Sequence, residues 1–484
     1  MARRWLRRFL VLVVLLAAGG GLAAYCLLFR QVPQEFDSLD DEFKYGSIGT
    51  EENDGIPFWV WLVLPRAFPE LMPKDSTGGY TAFGFVWEEG KETPIGISKR
   101  TIGFPRIGVN CALCHAGSYR TDPSAAPTAV PGAPATRLNL LAYQRFLMAC
   151  ASDPEFTADK LMPFIEYNTK LSPVEKLFYR YVLIPQTKKG LLAQKDRFAW
   201  TNSRPEWGAG RIDPFNPVKF HQLKMDPTND PSIGNSDMEP LWNRAARAGH
   251  SLHWDGLNND STEVFLSGAI GDGATAKTLP YDRVLRLQDW LQHLQPPAYP
   301  YPVKTDLAKT GQGVYDQHCA QCHTVGAPRN GKVIPLNEET GPKKEQKLKT
   351  DDHRIKMWSQ EAADIYNRVP LKAPYGFKNF QRHEGYVAVP LDGLWLRGPY
   401  LHNGSVPTVN DLLEVPDKRP KVFYRGYDVV DRDKLGFVHT GPAAAAGGWR
   451  YDVSVKGNGN GGHLYGTDLK DDEKKALVEY LKTQ

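Results

Sequence analysis

The chain has 484 residues, past the size at which one hydrophobic core stops growing, so a single small domain is excluded and at least two domains are expected. With 41% hydrophobic residues, 24% charged residues and a formal net charge of +4, the composition is that of an ordinary globular protein. No basic excess is available for nucleic acid, and no such partner is expected.

In chain order, residues 1–30 stand apart. Arg3, Arg4, Arg7 and Arg8 precede an unbroken apolar run from Phe9 to Phe29, which Arg30 closes. A helix needs about 20 such residues to cross a bilayer, more than the core of a signal peptide usually offers. The positive flank holds the N-terminus in the cytoplasm and sends the rest across. The expectation is a single-pass inner-membrane anchor with everything after residue 30 in the periplasm. A signal cleaved at Ala23 and Ala24 is the alternative, as is a lipid on Cys26, although Tyr25 is a poor residue before a lipidated cysteine.

Residues 31–80 are acidic and then apolar, and Ile56-Pro57-Phe58-Trp59-Val60-Trp61 reads as a packed segment rather than a linker. Of the six cysteines, four fall into two copies of one pattern: Cys111-Ala112-Leu113-Cys114-His115 and Cys319-Ala320-Gln321-Cys322-His323. Two thiols so spaced on a helical turn reach the two vinyl groups of one haem, while the adjoining histidine turns its imidazole to the iron. A C-x-x-C disulfide, or half a zinc site with an accidental histidine, is the competing reading, and two copies behind an export signal argue against it. Two covalently bound haem c groups are therefore expected, on Cys111, Cys114, Cys319 and Cys322, with His115 and His323 as proximal ligands. Cys150 is left as a buried free thiol.

Apolar residues at helical spacing predict helices over 138–151, 173–184 and 281–294. Four prolines within 296–302 stop the last of these and make a stiff connector. A helix over 306–320 runs into the second motif, and one over 470–481 closes the chain, the plan of a small cytochrome c domain. The lysine-rich stretch 329–352 reads as a solvated surface excursion or a docking face. The expected organisation is a membrane anchor at 1–30, an N-terminal haem domain at 31–295, a Pro-rich linker at 296–303 and a C-terminal cytochrome c domain at 304–484. The fold class is mainly α: two cytochrome c-like haem domains with long loops, plus the transmembrane helix.

Whether each iron's second side is filled decides between electron transfer and chemistry. Among the remaining histidines, His250, His253, His402 and His463 sit in turn-like segments. The loop Gly457-Asn458-Gly459-Asn460-Gly461-Gly462-His463 lets backbone approach a flat cofactor closely. His402, among Gly398-Pro399-Tyr400-Leu401 and Asn403-Gly404-Ser405, is either a ligand or a group orienting the haem edge. Spacing alone does not choose between His463 and His402.

The two motifs, with Leu252-His253-Trp254-Asp255-Gly256 between them and the segment around His402 after them, resemble the dihaem bacterial cytochrome c peroxidase superfamily. Gly210-Arg211-Ile212-Asp213-Pro214-Phe215-Asn216, Pro240-Leu241-Trp242-Asn243 and the long N-terminal domain make the chain more similar to the rubber oxygenase branch. The resemblance covers most of the chain after about residue 80. It implies that Trp254 lies between the haems, for electron coupling or as a wall of the N-terminal haem pocket, where a plain core tryptophan is the competing reading. Pro131 stands at the peroxidases' distal histidine, Ala274 at their distal acid, and Pro416 at their methionine ligand to the second haem. The rubber oxygenases' bis-histidine C-terminal haem and dioxygen-binding N-terminal haem fit these departures better, and favour His463.

The implied activity is that of a haem-dependent oxidoreductase. It would use dioxygen or peroxide at the N-terminal haem, with Trp254 and His253 as catalytic-side residues and the C-terminal haem transferring electrons. Its expected partners are a redox protein or quinol-linked donor, the membrane and a small organic substrate, since a tethered enzyme suits diffusible molecules better than an insoluble polymer. A plain electron carrier is one alternative. A peroxidase with Glu263 or His253 in place of the distal acid is another.

Overall fold

The computed structural model describes residues 2–73, 78–340 and 346–484. About 41% of the chain is helical and 12% is strand, and the strands are short local pairings, so the fold is mainly α as expected. Helix Ala2–Leu28 projects with exposed apolar side chains, Val14 and Leu15 among them. Its mean hydropathy of 1.7 over Arg4–Leu22 makes it long and apolar enough to cross a membrane. There is no slack behind it. The Arg30 carbonyl accepts from Gly103 N (2.7 Å) and Val32 N donates to the Thr101 carbonyl (3.1 Å), so the chain joins the folded body at once.

The segment at 56–61 is packed, as its composition predicts. Ile56–Pro57 pairs with Phe104–Val109, which pairs antiparallel with Ile97–Ile102. Helix Phe58–Ala67 buries Val60, Trp61, Val63 and Leu64. Trp61 stacks on Tyr80 with ring centres 4.3 Å apart, and its indole N–H donates to the Tyr143 hydroxyl (3.0 Å), which satisfies the one polar atom such burial would strand. Tyr143 belongs to helix Leu140–Ser152, where Asn139 caps the first turn and Cys150 is buried and free. The helix expected over 173–184 starts at Pro173 under a Ser172–Glu175 capping box. It continues through a wide turn at Tyr179–Leu183 into Ile184–Arg197.

The division at 296–303 runs through tertiary contacts. Met357, Trp358, Tyr366, Phe377 and Phe380, from the C-terminal side of the sequence, share one core with Ala112, Phe265 and Leu266 around the first motif. The proline-rich stretch itself is pinned: Trp395 Nε1 donates to the Pro297 carbonyl (3.1 Å) and the Tyr301 hydroxyl to the Thr121 carbonyl (2.8 Å). Helix Thr305–His318 crosses the closing helix Asp471–Leu481 so closely that a methyl group on Gly311 would lie 1.9 Å from the Ala476 carbonyl oxygen. Only glycine permits that crossing.

The stretch 329–352 departs from a solvated excursion. Val333–Pro335 pairs with Gly385–Val387, and the Leu348 carbonyl accepts from His463 N (2.8 Å), so both sides of it are tied down. Its lysines at 343 and 344 lie outside the described residues.

The opening segment is bound to helix Tyr281–His293 through Glu42, whose carboxylate accepts from Arg283 Nε (2.8 Å) and Arg286 Nε (3.1 Å). Burial pushes this carboxyl up, but the two guanidinium groups outweigh burial and hold it below its ordinary 4.5. Glu42→Gln is therefore expected to destabilise the protein at neutral pH by about 1–3 kcal/mol. The depressed carboxylate contributes only while ionised, so the gap to wild type should close as pH falls below 4.5. Urea midpoints measured across that range check both the size and the sign.

Candidate haem site

Each C-x-x-C-H motif folds as a single helical turn, Ala112–His115 and Ala320–His323. Asn110 prepares the first: its side-chain oxygen accepts from Ala112 N (3.0 Å) while its amide donates to the Lys44 and Gly46 carbonyls (3.2 and 3.0 Å). In the second, Asn330 Nδ2 donates to the Cys322 carbonyl (3.1 Å). All four cysteines are free. Among the described residues no group of three or more His, Cys, Asp or Glu side chains gathers as a metal site, so neither motif has the further ligands of a zinc centre.

The two histidines are held alike. His115 Nδ1 lies 2.7 Å from the Glu239 carbonyl and His323 Nδ1 lies 2.7 Å from the Val389 carbonyl. A carbonyl only accepts, so each Nδ1 carries the proton and each Nε2 keeps its lone pair, the tautomer an iron ligand requires. Burial lowers His115 to about 4, which keeps it neutral.

His463 faces the second of these rings, with centres 6.3 Å apart. A metal–imidazole bond is about 2 Å and the ring centre lies roughly 1 Å beyond its nitrogen, so two rings flanking one iron stand about 6 Å apart. Its Nδ1 is buried without a hydrogen-bond partner among the described residues. Burial, then the neighbouring His323 and Arg419, push it down to about 3.

The loop carrying His463 is clamped by a residue that sequence reading missed. Arg419, 2% exposed, donates from Nη1 to the Asn460 and Gly462 carbonyls (2.6 and 2.9 Å) and from Nη2 to the His463 carbonyl (3.3 Å). Its other donors reach the Glu414 and Leu412 carbonyls (2.8 and 3.0 Å). In sequence it sits in the charged run Asp417-Lys418-Arg419, which looks like surface. Asn403 adds bonds to the Gly457 and Gly459 carbonyls.

His402 lies elsewhere. Its ring stacks on Tyr386 at 3.9 Å and its Nε2 shares a 2.9 Å hydrogen bond with the Tyr386 hydroxyl. The two candidates left open by spacing are thus separated in space, and only His463 faces His323.

Glu239 and Val389, whose carbonyls hold the two proximal histidines, line one small cavity. His253 and Trp254 are in its wall, with Arg244, Arg247, His250 and Arg397. Trp254 Nε1 donates to the Asp237 carbonyl (2.8 Å), and its own carbonyl accepts from Val387 N (2.8 Å). His253 adopts a left-handed φ of +63° and meets Phe215 edge-on. Its Nε2 is buried without a partner among the described residues. Burial, Arg354, Arg244 and His115 together lower it to about 3.

The wall carries a positive excess. Arg247 pairs with Asp392 (3.1 Å), but Arg244 Nη2 and Arg247 Nε are buried without partners among the described residues. Burial, and then Arg247, lower both Arg244 and Arg397 to about 10. Orphaned guanidinium donors in an enclosed wall fit the two carboxylates that every haem carries. The residues present therefore fit the group.

Comparison with known proteins agrees at the level of the second motif's surroundings. Residues 385–424 match the family described as RoxA-like, cytochrome c-like. That stretch includes Tyr386, Val389, Arg397, His402 and Arg419. Across 476 aligned residues the chain is 26% identical to the uncharacterized protein y4iJ of Sinorhizobium fredii (strain NBRC 101917 / NGR234), covering 78% of this chain and 76% of that protein. It is 26% identical over 334 residues to the uncharacterized protein y4iM of the same strain, covering 58% of this chain and 72% of that one. Over residues 385–424 the chain is therefore similar to the RoxA-like, cytochrome c-like family, a likeness that implies the covalently bound haem c of a c-type cytochrome.

Proposed function

We propose that this protein is a membrane-anchored, extracytoplasmic dihaem c-type cytochrome and a haem-dependent oxidoreductase. The haem on Cys111, Cys114 and His115 would be the site of dioxygen or peroxide chemistry on a small organic substrate. The haem on Cys319, Cys322, His323 and His463 would transfer electrons to and from it. The observation that carries the reading is asymmetry across one cavity. His323 is faced by an imidazole at 6.3 Å, whereas among the described residues no imidazole pairs with His115 in that way. When bound, the iron supplies the one-electron and oxygen chemistry. The chain's own residues hold each imidazole's proton on Nδ1 (His115 on Glu239, His323 on Val389), would offer arginines to the haem carboxylates, and put Trp254 in the wall that the two carbonyls share.

One observation favours a plain electron carrier instead: the buried, unpartnered His253 Nε2 in a wall it shares with Glu239. If His253 filled the second side of the first iron, both centres would be closed.

Electron paramagnetic resonance and optical spectra of the full-length, haem-loaded protein separate these readings. The expected result is one low-spin centre that ignores added imidazole and peroxide and one centre that responds to them. Two low-spin, inert centres would sink the oxidoreductase reading and leave a carrier. Haemochrome analysis should count two haems per chain, falling to one in the Cys111→Ala/Cys114→Ala variant.

Arg419→Gln should release the His463 loop, since each buried carbonyl left unpaired costs about 1–3 kcal/mol. The inert low-spin signal is expected to turn high-spin or imidazole-responsive, with Arg419→Lys partly restoring it. Trp254→Phe should leave both spectra in place and slow electron exchange between the centres, which stopped-flow reduction reads directly.

A further inference from the structure

The outer face of the N-terminal half carries an apolar patch that nothing in the haem site explains. Val174, Leu177 and Tyr181 recur at helical spacing along Pro173–Leu183 and are 56%, 58% and 69% exposed. Val182 adjoins them, and Tyr167, at the end of the preceding helix, is 83% exposed. Single exposed apolar residues are ordinary, but a stripe of them marks a contact surface. Two of the charges beside the stripe are paired, Lys176 with Glu166 (2.9 Å) and Arg180 with Asp159.

Its position in the fold names an occupant. Phe178, next to Leu177, packs edge-on against Phe104 (5.8 Å). Phe104 follows Gly103, whose N–H is bonded to the Arg30 carbonyl (2.7 Å), two residues beyond the end of helix Ala2–Leu28. The stripe is thus separated from the end of the apolar helix by one ring contact and one hydrogen bond. Because Arg30 and Val32 are both bonded to the hairpin at Thr101 and Gly103, the body has no tether on which to swing away. A bilayer spanned by the helix would lie beside this surface at high effective concentration.

We propose that Val174, Leu177 and Tyr181, with Tyr167 beside them, rest on the lipid surface and fix the orientation of the haem domain on the membrane. Tyrosines suit that depth because their rings are apolar and their hydroxyls remain wet, and the stems of Lys176 and Arg180 can lie along apolar surface while their heads reach water. Helices of this kind bury one face at the boundary between headgroups and acyl chains. The proposal rests on the reading of Ala2–Leu28 as a membrane anchor.

The test uses the full-length, haem-loaded chain in phosphatidylcholine–phosphatidylglycerol vesicles. Cys26→Ala removes the competing accessible thiol, Cys150 being buried, and an environment-sensitive fluorophore is placed singly through Leu177→Cys, Leu15→Cys or Lys418→Cys. The expected result is that the labels at 15 and 177 lose quenching by aqueous iodide and gain quenching by spin-labelled lipid, while the label at 418 remains open to iodide. A label at 177 that iodide reaches as freely as at 418, with 15 in lipid, overturns the proposal and spares the anchor. A label at 177 shielded from both quenchers reports coverage by a second copy of the chain and also overturns it. A label at 15 open to iodide removes anchor and proposal together.

Discussion

Two hydrogen bonds of one kind organise the molecule: a backbone carbonyl on the Nδ1 proton of each motif histidine, Glu239 for His115 and Val389 for His323, both at 2.7 Å. Each fixes a tautomer and a ring direction, and both carbonyls belong to the wall of the same cavity. Placing the two carbonyls dictates much else. Glu239 follows the strand residues Ser236–Asp237, which pair with Arg211–Ile212. Val389 follows Gly385–Val387, which pairs with Val333–Pro335.

Those two walls are locked to each other by buried charge. Asp237 accepts from Arg425 Nη2 (2.7 Å), its N–H donates to the His402 carbonyl (2.8 Å) and its carbonyl holds Trp254. Arg211 reaches across to Asn458 (2.7 Å) in the loop that ends at His463. Removing one member of a buried pair strands the other, which is costlier than the pair is worth. The stretches on either side of the proline-rich connector are therefore expected to unfold together. The connector divides the chain more than it divides the packing.

Much of this was legible in the sequence where a residue's chemistry is carried by its side chain and its partners are local. The two attachment turns, the flanking helices and the glycine-rich loop with its lone histidine are of that kind. The Glu239 and Val389 carbonyls are not, because any residue supplies a carbonyl and only the fold aims it. Arg419 was missed because it is surrounded by charged and proline residues, and its burial comes from carbonyls of a loop some forty positions away. His402 was ambiguous for the opposite reason: its segment is rich in turn formers, and nothing local shows that Tyr386 takes its Nε2. The segment holding Trp358, Tyr366, Phe377 and Phe380 was assigned by chain order to the second unit, and its aromatic side chains complete the core of the first.

The charge of the shared cavity extends this logic from geometry to folding. Arg244, Arg247 and Arg397 stand against Glu239 and Asp392, and burial pushes Glu239 up to about 7, which weakens the negative side further. A guanidinium removed from water costs several kcal/mol unless its donors and its charge are both met. With orphaned donors on Arg244 and Arg247, the wall is unfavourable by itself and favourable beside carboxylates. A group that binds only the folded state stabilises it by mass action, and covalent attachment makes that contribution permanent. If, as proposed, haem carboxylates meet these arginines, cofactor attachment would stabilise the native packing around them.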